Sequence, residues 1–339
     1  MEIATPYLLF LGDVPDPLAA KTALGIVDWR PEWCVGQLRF EGCGADAGLP
    51  DMTLREARAA GAKTLIVGAV NAGGILPSHW VDTIVAALDA GFDVASGLHS
   101  RLGDNPAIRA AAARWGRRLH DVRHAPQRFD TGKGTKRTGM RLLTVGTDCS
   151  VGKKYTALAL ALERGMRAAG LDADFRATGQ TGVLISGRGV AIDAVVADFI
   201  SGAVEWLSPD AAPDHWDLIE GQGSLYHPSF AGVSLGLLHG AQPDAFVVCH
   251  EPTRRTMRGV RHALPTIRQV IDLTLICGSL TNPAIRCVGI AVNTQALDED
   301  DARRLLDETA AAHDIPAVDP IRTGVGPIVD RILQDFPAS

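Results

Sequence analysis

Short apolar, β-branched runs alternate with longer amphipathic stretches along most of the chain. Runs at 7–12, 64–70, 93–97, 141–146, 217–220, 245–250 and 288–293 have the length and composition of buried strands. Between them, 80–90, 106–119, 152–169, 191–206 and 298–313 repeat apolar residues at helical spacing. Strand and helix in alternation predict parallel sheets covered by helices on both faces. The pattern fails near 125–140, where APQRFDTGKGTKRTG is polar, rich in Gly and Thr, and without period. That break predicts an α/β domain over 1–125, a linker over 126–140 and a second α/β domain over 141–339.

At 339 residues the chain has room for about two domains of ordinary size. Its 33 basic and 39 acidic residues leave a net charge of −6. That balance weighs against a general nucleic-acid binder. No apolar run reaches the length of a membrane span, and the first apolar run, 7–11, follows Glu2 and no basic residue. A cytoplasmic protein is expected. The six cysteines form no C-x-x-C pair and read as reduced thiols, so no zinc or dithiol site is expected. From Arg114 to Arg141, nine Lys or Arg stand against two Asp. This basic stretch points to an anionic ligand nearby, or to a solvated linker.

Chemistry concentrates in RLLTVGTDCSVGKKYTALALALERG. A strand, Leu142–Val145, runs into a glycine-rich loop of Gly146, Thr147, Asp148, Cys149, Ser150, Val151 and Gly152, and a helix carrying Lys153 and Lys154 starts near Gly152. Glycines at the strand end and helix start let backbone N–H groups approach an anion, and Lys153 adds a point charge. Strand, loop and helix in this order define a phosphate-binding loop. Its spacing, G-x-x-x-x-x-G-K, is one residue longer than usual. Lys154 also stands where an NTPase places the Ser or Thr that binds Mg²⁺. Thr156, two residues on in a helix, faces another side. The loop is therefore expected to hold phosphate that is not cleaved, and no metal is expected.

Other strand exits supply further candidates, since ligands in parallel sheets sit at the carboxyl ends of strands. Glu220, in EGQGS, is placed to accept a proton or hold an ammonium group. His227 and His250 are the next candidates for the base. Arg254, Arg255, Arg258 and Arg261 follow His250; guanidinium forks suit carboxylates, and a solvated charge run is the alternative. Asn293 ends another strand and can read an adenine edge or form a turn. Arg176 and Gln180 lie on a glycine-rich turn. Asp193 is expected to favour the N-terminal dipole of the helix at 191–206. His99, Ser100 and Asn71 sit at exits in the first domain. No G-x-G-x-x-G follows the first strand, so NAD binding is not supported.

GTDCSVGKK and EGQGS resemble the corresponding loops of dethiobiotin synthetase, which implies a related P-loop fold. A likeness covering nearly the whole chain is to the D-glutamate N-acetyltransferase family. It rests on GTDCSVGKK, RATGQTGVLISGRGVAIDAVVADFISGAVE, EGQGSLYHPSFAGVSLGLLHGAQPDAFVVCHEPTR, VGIAVNT and VDPIRTGVGPIVD. This resemblance implies a Rossmann-like N-terminal domain and a P-loop NTPase-like C-terminal domain. It implies acetyl transfer from acetyl-CoA to D-glutamate, a step of D-amino-acid catabolism. Carried onto these residues, it gives the pyrophosphate of CoA to 146–154, adenine to Asn293 and the 3′-phosphate to the basic stretch. The acidic amino acid falls to Arg176, Gln180, Arg254, Arg255, His99 and Ser100, and proton transfer to Glu220, with His227 and His250 behind it. N–H groups around Gly221–Ser224 are expected to face the thioester oxygen. A homo-oligomer is the default expectation, with no nucleic-acid or membrane partner. The competing readings are an ATP- and Mg²⁺-dependent ligase or kinase of the dethiobiotin synthetase type, and a non-catalytic nucleotide or CoA sensor.

Overall fold

Two all-parallel sheets organise the chain in the computed structural model, which describes residues 3–17, 19–69, 76–125, 127–161 and 165–337. The chain divides into two compact units. One comprises Met1–Pro126 with Gly179–Ala194; the other comprises Gln127–Thr178 with Val195–Ser339.

The first unit is built from β1 (Tyr7–Gly12), α1 (Lys21–Trp29), β2 (Cys34–Arg39), α2 (Leu54–Ala59), β3 (Thr64–Val67), α3 (Ser78–Asp89), β4 (Asp93–Ser96), α4 (Pro106–Trp115) and β5 (Leu119–Asp121). Its strand order is β2-β1-β3-β4-β5. Tyr7 through Leu11 are fully buried, as a strand covered on both faces requires. Asn105 caps α4, Pro106 occupies its first turn, and Gly116 in the left-handed conformation ends it. The helix expected over 106–119 is thereby cut short at Trp115, and its last expected residue, Leu119, opens β5. In this strand order the crevice opens between β1 and β3. At the β1 exit a Cβ on Gly12 would lie 2.4 Å from the Trp80 ring, whose Nε1 donates to Asp13 Oδ1 at 2.8 Å. The indole occupies the space that a glycine-rich nucleotide loop would leave open. Val70 and Asn71, beyond the β3 exit, lie outside the described residues.

The second unit contains β6 (Met140–Gly146), α5 (Lys153–Ala161) and β7 (Ala173–Arg176). The chain then contributes α6 (Gln180–Ser186) to the first unit, where it packs on α1. It returns through α7 (Ile200–Leu207), β8 (Trp216–Ile219), α8 (Ala231–Ala241), β9 (Ala245–His250), α9 (Ile267–Gly278), β10 (Arg286–Val292), α10 (Glu299–His313), β11 (Ala317–Val318) and α11 (Gly326–Asp335). The strand order is β11-β10-β9-β6-β8-β7. The continuous helix expected over 191–206 is two short 3₁₀ turns followed by α7. Asp193 does not serve a helix dipole: its Oδ2 accepts from Arg123 at 3.0 Å.

Five cations of the basic stretch are committed to neighbours within their own unit. Arg118 pairs with Asp93, and Arg123 with Asp193. Lys136 reaches Asp244 at 3.1 Å, and Arg137 reaches Gln242 at 2.9 Å. The fully buried Arg141 donates to Ser208 Oγ and to the carbonyls of Thr138, Gly139 and Pro209. Arg141 stands near the start of β6, five residues before Gly146, a rise of about 17 Å in an extended strand. Lys136, Arg137 and Arg141 thus knit the base of the second unit's sheet, at the opposite end from the phosphate loop.

Candidate functional site

The phosphate loop joins β6 to α5 in a tightly constrained path. Ser150 takes φ +55° and Gly152 φ +100°. A Cβ on Gly146 would lie 2.7 Å from Val151 Cγ2 and 3.1 Å from Lys153 Nζ. Lys153 is buried, and its ammonium donates to the carbonyl of Asp148 at 2.7 Å. Desolvation lowers its pKa from the usual lysine value. Lys154 lies over the Tyr155 ring at 4.7 Å. Thr156 Oγ1 donates to Gly152 O at 3.1 Å and accepts from Cys249 Sγ at 3.4 Å. No hydroxyl therefore occupies the usual metal-binding position of the loop.

Asp148 is the hub of the loop. Its Oδ2 accepts from the Arg254 guanidinium at 3.0 Å and from the Arg258 N–H at 2.8 Å. Arg254 also donates to Cys149 O and Ser150 O, both at 2.7 Å. The Arg254 fork thus holds the carbonyl face of the loop, and its expected partnership with a substrate carboxylate gives way to that task. Arg255 remains exposed.

The residues after β8 close over this loop. Gly221 N–H donates to Thr144 Oγ1 at 2.9 Å, which removes it from the expected set of oxyanion donors. Glu220 is 4% exposed, and its Oε2 accepts the Thr178 N–H at 3.0 Å. Gln222 Nε2 donates to Thr178 Oγ1 at 3.1 Å, and Ser224 Oγ to Thr147 O at 3.3 Å. Beneath lies a cavity of about 20 Å³, room for about one water. Thr274 lines it, and its buried hydroxyl has no hydrogen-bond partner among the described residues.

The two histidines separate by their contacts. His227 accepts from Ser229 N–H at Nδ1 (3.2 Å), and its Nε2 lies 3.0 Å from Arg258 O. These contacts assign the proton to Nε2 and leave no free lone pair, so the imidazole ties two loops together and is not placed as a base. Among the described residues, Asp148, Cys149 and His227 alone cluster closely enough to share a metal ion. His227 faces that cluster with an N–H, which does not ligate. His250, at the β9 exit, has Nδ1 3.1 Å from Thr147 Oγ1. Burial pushes its pKa below the usual 6.5. The unfolded chain therefore binds the proton first as pH falls. This histidine's contribution to stability is whole above 6.5 and is lost as pH drops through the folded value. His250→Gln should accordingly lose less stability than wild type between about pH 8 and about pH 5, measured by urea unfolding.

The remaining candidates divide between the units. Arg176 is committed to the sheet: its Nε donates to the buried Asp217 at 2.6 Å, and its NH2 lies 3.5 Å from Asp174. That pairing neutralises a carboxylate that burial would otherwise penalise, and it corrects the expected substrate role. Gln180 begins α6 in the first unit, where its Oε1 accepts from Arg123 at 3.4 Å. His99 is exposed, Ser100 is half-buried, and His124 Nε2 lies 3.1 Å from His99 O. Asn293 Oδ1 accepts from Gln295 N–H at 3.1 Å, the turn-forming arrangement. Within the second unit, the phosphate loop, Glu220, Gln222, Ser224, His227, His250, Arg254 and Arg258 converge at neighbouring strand exits. Thr178 lies on the same glycine-rich turn as Arg176 and Gln180, but its partner Glu220 is 42 residues away and local spacing does not pair them.

Fold and site define a two-unit α/β protein whose second unit holds a P-loop without the customary metal-binding hydroxyl. The family model "Domain of unknown function (DUF1611_C) P-loop domain" matches residues 128–329, and "Domain of unknown function (DUF1611_N) Rossmann-like domain" matches residues 37–125. The chain belongs to the DUF1611 family. A protein from Tritonibacter scottomollicae named D-glutamate N-acetyltransferase is 54% identical over 97% of this chain and 99% of its own. A protein of the same name from a Pseudoalteromonas species is 50% identical over 98% of this chain and 100% of its own. A crystal structure of a DUF1611 family protein from Anabaena variabilis ATCC 29413 matches with a TM-score of 0.85. Its identity is 29%, over 98% of this chain and 100% of that one. The resemblance read from the sequence and the Rossmann-like and P-loop architecture are both borne out. Among the described residues, no helix is long and apolar enough to cross a membrane.

Proposed function

We propose that this protein transfers the acetyl group of acetyl-CoA to the amine of D-glutamate, giving N-acetyl-D-glutamate and free CoA. The observation that carries this reading is a phosphate loop with a buried lysine, in which Lys154 lies over Tyr155 and Thr156 is bound to Gly152. Such a cradle holds a pyrophosphate without assembling the metal that phosphoryl cleavage uses. The relatives named for acetyl transfer to D-glutamate support the same chemistry.

In this mechanism, loop N–H groups and Lys153 bind the pyrophosphate, and the free amide N–H₂ of Asn293 faces adenine. The D-glutamate ammonium gives its proton to Glu220. The amine nitrogen then attacks the thioester carbon, forming the amide bond as the C–S bond breaks; the second nitrogen proton passes to the departing thiolate, which leaves as the thiol of CoA. N–H groups of the Gln222–Ser224 turn stabilise the oxygen on which charge develops. His250, kept neutral by burial, is the second candidate for the proton.

Thiol release separates this reading from the others. With acetyl-CoA and no added metal, free thiol is expected with D-glutamate and not without an amine. ADP or phosphate release from Mg²⁺-ATP, with no thiol release, would select the ligase or kinase instead.

A further inference from the structure

The segment after β9 is a small built hairpin. Thr256 and Ala263 pair as an antiparallel bridge, Met257 N–H donates to His262 O at 2.8 Å, and Leu264 N–H donates to Arg255 O at 3.2 Å. Met257 is buried beneath it, and Gly259 takes φ +77° near the tip. The hairpin is fastened to the phosphate loop and to the segment after β8. Arg254 grips the loop carbonyls, Arg258 N–H rests on Asp148, and Arg258 O meets His227 Nε2.

From Arg254 to His262 this segment holds four arginines and no acid. Arg254 and Arg258 are engaged on the loop, the latter through Ser150 Oγ at 2.6 Å. Arg255 and Arg261 are exposed, and among the described residues neither guanidinium has a hydrogen bond or ion pair. Elsewhere in this unit, Lys136, Arg137 and Arg141 are committed to the base of the sheet, and Arg176 to Asp217. Uncommitted positive charge beside the loop therefore sits on the hairpin.

We propose that this hairpin is the subsite for the 3′-phosphate of CoA, with Arg255 and Arg261 as its guanidinium donors. The proposal rests on the acetyl-CoA reading and names what selects CoA over coenzymes that lack a terminal phosphate. A phosphate monoester carries nearly two charges at neutral pH and accepts forked N–H donors. Asp148 acts here as a positioning residue: it fixes the hairpin on the loop that holds the pyrophosphate.

Calorimetric titration of the full chain with CoA and with 3′-dephospho-CoA tests this without requiring turnover. Wild type is expected to bind CoA about tenfold more tightly. The double variant Arg255→Gln/Arg261→Gln should close that gap by weakening CoA alone, leaving dephospho-CoA within about twofold. Equal affinities in wild type, or a gap that survives in the double variant, overturn the proposal. So does a rise in KM for D-glutamate with the gap intact, which would give these arginines to the amino-acid carboxylate. A CoA-selective gap that depends on both arginines, in a protein that releases no thiol with D-glutamate, would sustain the subsite and remove the catalytic reading.

Discussion

Glu220→Gln is expected to lower kcat for acetyl transfer by about 10²–10⁴-fold, the range for loss of a general base. Coenzyme affinity and melting temperature should stay near wild type. The side chain is buried and receives the Thr178 N–H at 3.0 Å. Glutamine keeps that shape, and its amide oxygen can keep that hydrogen bond. What it loses is the charge and the lone pair that takes a proton. A purely structural Glu220 would show the reverse, a lower melting temperature with kcat little changed. Wild-type turnover in Glu220→Gln would transfer the base role to His250, whose neutral imidazole stands two strand exits away, across β6.

The phosphate loop was legible in the sequence because its parts are contiguous. An apolar strand, two glycines and a lysine at a helix start fall within 13 residues, from Arg141 to Lys153. Strand β9 was read at its observed bounds, because a run apolar on both faces needs no partner to be recognised. Short strands with mixed faces were not recognised. Neither β2 (CVGQLR) nor β5 (LHD) alternates or runs apolar, and only pairing with β1 and β4 makes them strands.

At the site, residue types were legible but their commitments were not. Arg176 reads as a free guanidinium until Asp217 arrives from 41 residues away. Arg254 reads as a carboxylate binder until Asp148 and the loop carbonyls arrive from over 100 residues away. His227 reads as a base until backbone groups of Ser229 and Arg258 fill both nitrogens. Buried charge seeks a partner, and which partner it finds is decided by topology, not by local spacing.

Gly221→Ala should be the most disruptive single methyl in the second unit. A Cβ at this position would lie 1.6 Å from the Thr144 carbonyl oxygen, and the obstacle is backbone, which has no rotamer to yield. Relief requires β6 and the turn after β8 to separate, which breaks the 2.9 Å Gly221 N–H to Thr144 Oγ1 bond and displaces Lys153. Overpacking commonly costs 1–3 kcal/mol, and a clash on backbone belongs at the top of that range, about 3 kcal/mol. In a unit of this size that lowers the melting temperature by about 6–12 °C. Gly232→Ala is the matched control: it lies in α8 with nothing within 4 Å of an added Cβ. Alanine there should raise stability slightly, since glycine within a helix is worth about 0.5–1 kcal/mol less. Calorimetric melting of the two variants measures the contrast. Because Glu220 precedes this glycine, Gly221→Ala should lose turnover and stability together, whereas Glu220→Gln loses turnover alone. An unchanged melting temperature in Gly221→Ala would mean that β6 and the β8 exit can part without cost, and the close packing that holds Glu220 beside the phosphate loop would not be what positions it.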